Sequence, residues 1–150
     1  MPLKEILKEN LADRLIWACR NNNVDAAKHY LIEGANIHAF NDAALQTAAR
    51  YGCLDAVKFL ISAGANIHAR NNNALHLAVY FEHIDVVKHL IDQGADIRVD
   101  YDRELRQAAH LRNIDIVNHL RQVAGSKYKC HRCLIKSTCM ELCKDFRVEK

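Results

Sequence analysis

A shift of thirty residues lays this chain onto itself. Leu15, Leu45, Leu75 and Leu105 coincide, as do Ala18, Ala48, Ala78 and Ala108, and Asp25, Asp55, Asp85 and Asp115. Gly34-Ala35-Asn36-Ile37-His38 returns as Gly64-Ala65-Asn66-Ile67-His68 and again as Gly94-Ala95-Asp96-Ile97-Arg98. A fixed period of this size, held without gaps, means an array of supersecondary units, each too small to bury its own apolar side. The blocks are 11–40, 41–70, 71–100 and 101–125, with 1–10 preceding them and 126–150 outside the register.

Each unit reads as two short helices. The first carries the Leu/Ala pattern, as in Ala74-Leu75-His76-Leu77-Ala78-Val79, and Asp42, Asn72 and Asp102 precede it as expected N-caps. The second runs Ile84-Asp85-Val86-Val87-Lys88-His89-Leu90-Ile91, with Ile84, Val87, Leu90 and Ile91 on one face. Its Asp lies in the first turn and its Lys or His nearer the end, matching the helix dipole. Gly34, Gly64 and Gly94 then supply left-handed stops. Stacked helix pairs make an all-α solenoid. In the fourth unit Arg121, followed by Gln122, stands where earlier units carry the apolar Leu31, Ile61 and Ile91, as suits a terminal repeat. At the other end Pro2 to Leu7 reads as a short capping helix, with Leu3, Ile6 and Leu7 facing the first unit.

These residues resemble the ankyrin repeat, through Leu75-His76-Leu77-Ala78 in the first helix and the Val-Val-Lys to Gly-Ala-Asn run of the second half. The resemblance spans residues 11 to 124 in four units. Two departures stand out: the period is thirty rather than about 33 residues, and the Thr-Pro opening is absent. The missing residues fall where the family builds projecting β-hairpin fingers, so shortened fingers and almost no strand are expected. Units of this length resemble ankyrin proteins abundant in giant DNA viruses.

The resemblance implies non-catalytic protein recognition through first-helix ends and loop tips. Carried onto this chain, the helix ends are Arg20-Asn21, Arg50-Tyr51, Tyr80-Phe81 and His110-Leu111, and the loops Phe40-Asn41, Arg70-Asn71 and Asp100-Tyr101. Phe40, Arg50, Tyr51, Arg70, Tyr80, Phe81, Tyr101 and His110 are the expected partner-binding residues. Tyr, Phe and Arg are types enriched at interface centres, and the core positions are already filled by Leu, Ala, Ile and Val.

No catalytic constellation competes with that reading. Phosphate-loop and dinucleotide motifs are absent, and Glu82-His83 with His89 lacks the spacing that sets two His one turn apart around a Glu. Most of the nine histidines recur at equivalent sites, His38 with His68 and His29 with His89 and His119, which favours structural roles. Cys19 and Cys53 read as small buried apolar residues.

Composition separates the tail from the rest. The net charge of +3 comes from 21 basic and 18 acidic residues. Seven basic residues (Lys127, Lys129, Arg132, Lys136, Lys144, Arg147 and Lys150) and three acidic ones (Glu141, Asp145 and Glu149) lie within 126–150. Residues 1–125 therefore hold 14 basic and 15 acidic groups, near neutrality. No run approaches the roughly 18 apolar residues of a membrane span. The N-terminal residues lack the apolar core of a signal peptide, so a reducing, intracellular and cytoplasmic setting is expected (the host's cytoplasm if the chain is viral), as a monomer.

Cys130, Cys133, Cys139 and Cys143 form a C-x2-C-x5-C-x3-C run. The first pair suits a zinc knuckle, and the second, at i and i+4, meets on one helix face. Four thiolates complete a closed, structural zinc site. An iron–sulfur cluster on the same cysteines, two disulfides, or a reduced helix without metal are the alternatives. The second functional reading makes this tail the active part, a metal-stabilised nucleic-acid or assembly module with the repeats as spacer. Its charge argues against nucleic acid: zinc and four thiolates together would halve the tail's +4, too little for firm phosphate binding.

Overall fold

The structure, a computed structural model, describes residues 3–97 and 101–124, and side chains over 10–97 and 103–123. The chain divides between Asp96 and Ile97 into two compact units. The first holds α1 (Leu3–Arg20), α2 (Val24–Ile32), α3 (Ala39–Arg50), α4 (Leu54–Ser62), α5 (Ala69–Tyr80) and α6 (Ile84–Asp92). The second holds α7 (Tyr101–His110) and α8 (Ile114–Ala124), packed on one another. No strand occurs among the described residues.

Within the first unit α1, α3 and α5 form one layer and α2, α4 and α6 the other, each pair packing internally and against the next. The periodic residues explain why. Leu15, Leu45 and Leu75 are buried between first helices, with Ala18, Ala48 and Ala78 fully enclosed beside them. Alanine at these sites lets neighbouring helices approach closely, while Leu fills the remaining volume. Ala27, Val57 and Val87 bury the second helices' inner face, with Leu60 and Leu90 one turn on. Truncating one of these leucines to Ala costs about 2–5 kcal/mol.

Both helices of a repeat end in the same backbone device. At Gly34 (φ +99°) the N–H bonds to the Leu31 carbonyl at 3.1 Å, and the Ala35 N–H reaches back to Tyr30 at 2.9 Å. That paired bonding is the Schellman stop, for which glycine is the usual residue. The first helices use it too, with Asn22, Gly52, Glu82 and Arg112 all at positive φ. Asn23 then opens α2 as an N-cap, its Oδ1 accepting the Ala26 N–H at 3.0 Å, and Asn113 does the same for Ile116 at 3.1 Å.

Two details depart from the sequence reading. The expected short cap helix is no separate element, because the backbone is helical without a break from Leu3 to Arg20. And where the family's fingers would stand, the chain folds tightly: Asn36 Oδ1 accepts the His38 N–H at 3.0 Å, and Phe40, Asn41 and Asp42 follow with φ of 54°, 60° and 59°. Asn66, His68, Arg70, Asn71 and Asn72 repeat this geometry. A left-handed turn costs an L-residue roughly 1–2 kcal/mol per position, least for Asn and Asp, which fill two of the three places.

Candidate functional site

The side chains of Asp42 and Asn72 close those turns onto the next repeat. Asp42 Oδ1 accepts the Asn66 N–H at 2.8 Å and the His38 Nδ1–H at 3.0 Å. Asn72 exchanges bonds with the backbone N–H and carbonyl of Asp96, both at 3.3 Å, while its Oδ1 accepts from His68 Nδ1 at 2.9 Å. Neither caps its own helix, which corrects the N-cap expectation for these two; the Asp102 side chain lies outside the described residues. The reason is steric: at left-handed φ each side chain is turned away from the helix that follows and towards the neighbouring unit.

The opposite end of the first helices carries the most exposed aromatic groups with organised partners. Their Schellman turns present positions 20, 50 and 80 (Arg, Arg, Tyr) beside 21, 51 and 81 (Asn, Tyr, Phe). The Arg20 guanidinium lies over the Tyr51 ring at 4.7 Å, and Arg50 lies over Phe81 at 5.1 Å. The two contacts are one repeat apart, each linking a residue to the one 31 positions on. Arg50 also approaches Tyr51 at 5.8 Å, and Phe81 meets Tyr80 edge-on at 5.0 Å. Tyr51, Tyr80 and Phe81 nonetheless remain 44%, 49% and 38% exposed. The result is a ladder of alternating guanidinium and ring faces, each step worth about 0.5–1 kcal/mol at an exposed site.

Side chains of the following repeat bond to backbone carbonyls of this edge. His83 Nε2 donates to the Arg50 carbonyl at 3.0 Å, and the Cys53 thiol donates to the equivalent Arg20 carbonyl at 3.3 Å. The His83 ring also lies on Gly52, where a side chain would collide with it. Both thiols here are poor nucleophiles. Burial pushes Cys19 up to about 12, with the neighbouring Cys53 adding to the shift, and burial also raises Cys53.

Phe40 and Arg70 are exposed, but they sit in the left-handed turns at the other end of the first helices. The intervening helix, Ala43 to Arg50, spans roughly 12 Å at about 1.5 Å per residue. The six expected contact residues of the first unit therefore do not gather at one place. Arg50, Tyr51, Tyr80 and Phe81 come together; Phe40 and Arg70 form a separate edge; His110 is exposed at the end of α7 in the second unit. The Tyr101 side chain, and Cys130, Cys133, Cys139 and Cys143, lie outside the described residues. Among the described residues no three His, Cys, Asp or Glu side chains are placed to share a metal ion, and no helix is long and apolar enough to cross a membrane.

Arg20 belongs to the ladder, although it stands only among the helix ends and not among the eight expected contact residues. The signal was present in its register: Arg20 and Arg50 are equivalent, and each precedes a ring-bearing position of the following repeat by 31 residues. Trp17, the chain's one tryptophan, is 57% exposed one turn before Arg20; its carbonyl accepts from Asn21 Nδ2 at 2.7 Å. Its register partners Thr47 and Leu77 gave no hint of a shared surface role.

Comparison with curated proteins gives no match. A family model of ankyrin repeats, in three copies, matches residues 15–101, more than half of the chain and the stretch that contains the Leu/Ala core, the glycine stops and the arginine–aromatic edge. Repeat geometry and family match agree: the chain belongs to the ankyrin repeat family.

Proposed function

We propose that this protein is a non-catalytic scaffold that captures a protein partner on the edge formed by Arg20, Arg50, Tyr51, Tyr80 and Phe81. Ankyrin repeats are generally protein–protein interaction modules. The observation that carries the finer reading is the arginine–ring ladder, whose rings stay open to solvent while their geometry is already fixed. Preformed aromatic and Arg side chains bind with little ordering cost, which is why such residues dominate interface energetics. The near-neutral repeat region gives no electrostatic reason to prefer nucleic acid.

The test is affinity capture with the intact chain, followed by repetition with three variant pairs. Tyr51→Ala with Phe81→Ala abolishes capture of the specific partner, while Phe40→Ala with Arg70→Ala leaves it intact. Loss with the second pair only moves recognition to the left-handed turns. Loss with Cys130→Ser plus Cys133→Ser only makes the tail the binding module. For that tail we propose a structural zinc site on Cys130, Cys133, Cys139 and Cys143, supported by their spacing alone.

A further inference from the structure

The partner's chemistry can be narrowed, on the footing that the edge just described is the recognition surface. The argument turns on what the two guanidiniums lack. Arg20 and Arg50 are both exposed, and both lie against rings. No carboxylate within the described residues pairs with either of them; the ion pairs of the first unit involve Lys28, His29 and His38 instead. Asp55, on the following second helix, is held by Asn22 Nδ2 at 3.2 Å.

A guanidinium held over a ring by its π-face attraction still has N–H donors to offer a further partner. The guanidinium fork matches a carboxylate in bidentate geometry, and stacking removes part of the side-chain freedom that binding would otherwise freeze. Two such forks share one ring here, Tyr51. They are close enough for one short segment to engage both, since an extended chain advances about 3.3 Å per residue. Tyr80 and Phe81 continue the same edge with apolar surface.

We infer that this edge takes an acidic linear segment of a protein, one carrying two carboxylates a few residues apart followed by an apolar side chain. The carboxylates meet Arg20 and Arg50, and the apolar group rests on Phe81 and Tyr80. Single-stranded nucleic acid also stacks on rings and pairs with Arg. It is the weaker candidate, because 14 basic against 15 acidic groups in residues 1–125 offer no cationic track for a phosphate chain.

Selection from a random peptide display library on the intact protein tests this. The expected winners carry paired Asp or Glu, and their affinity falls about tenfold with Arg20→Ala and again with Arg50→Ala, as loss of a hydrogen-bonded charge implies. Replacing the peptide's acids by Asn or Gln costs the same, added salt weakens binding, and Arg20→Lys with Arg50→Lys restores only part of it. Winners without acidic residues that still depend on Tyr51 and Phe81 overturn the acidic inference and leave the edge standing. Winners, or an empty selection, indifferent to both the arginines and the rings overturn the edge as well. A fluorescent single-stranded oligonucleotide that binds through Arg20 and Arg50 as tightly as the best peptide also overturns it.

Discussion

Asp42 reaches across a repeat boundary, its buried Oδ1 accepting the backbone N–H of Asn66 at 2.8 Å. The same oxygen accepts from His38, so one carboxylate ties a left-handed turn to its own loop and to the next unit. Asp42→Ala leaves the Asn66 N–H and His38 Nδ1 without their shared acceptor and places a β-carbon without polar compensation at φ +59°. It should destabilise the chain by about 1–3 kcal/mol, read as a lowered urea midpoint. Asp42→Asn should be close to neutral, because Asn72 performs the same task one repeat later. Equal losses from both substitutions would show that the charge, rather than the acceptor, is what matters.

Much of the architecture was legible because it is periodic. Leu15, Leu45 and Leu75 announce a shared core, and Gly34, Gly64 and Gly94 announce shared stops. The bonds between repeats were harder to read. Asp42 looks the same in sequence whether it caps Ala43 onward or reaches Asn66, since only the backbone dihedral decides. The edge was half legible for a related reason. Phe40 and Tyr51 both flank a first helix, and sequence spacing alone does not say that a full helix length keeps them apart. The Arg20–Tyr51 contact crosses a repeat boundary, so it shows only after the register is extended by one residue.

Alkaline pH should weaken the fold through Cys19. Its folded thiol titrates near 12, against 9.0 for an unburied one. Between those values the unfolded chain has lost the proton that the folded chain keeps, so stability falls as pH rises, by up to about 1.4 kcal/mol per pH unit for one group. Below 9.0 the contribution is fully present. Denaturation midpoints measured across this window should fall less steeply for Cys19→Ala than for the native chain. Site-resolved alkylation at neutral pH should leave Cys19 unmodified until denaturant is added.

Metal removal tests the tail. Full-length protein purified without chelator should carry one zinc per chain by elemental analysis, and Cys130→Ser or Cys139→Ser should lose it. Binding energy of this kind, on the order of 10–16 kcal/mol in zinc-finger peptides, appears as ordering of the bound segment. Chelation should therefore sensitise residues 126–150 to protease while the repeats stay protected. A visible absorption band with iron in place of zinc would assign the cysteines to a cluster.

The contact between His83 and Gly52 gives a sharper test of how the recognition edge is held. A β-carbon at Gly52 would lie 2.6 Å from His83 Nδ1 and 2.8 Å from Cε1. Gly34 has a similar left-handed requirement, φ +99°, but open space where its β-carbon would go. Gly34→Ala therefore reports backbone strain alone, about 1–2 kcal/mol. Gly52→Ala should cost about 1 kcal/mol more, because the imidazole must leave the Arg50 carbonyl to make room. In a His83→Ala background that excess should vanish, and the double-mutant cycle measures it directly. Displacing His83 also frees the backbone under Arg50, so Gly52→Ala should weaken partner capture, whereas Gly34→Ala should not. Matching losses of stability and binding from the two glycine variants would mean that His83 contributes nothing to positioning Arg50.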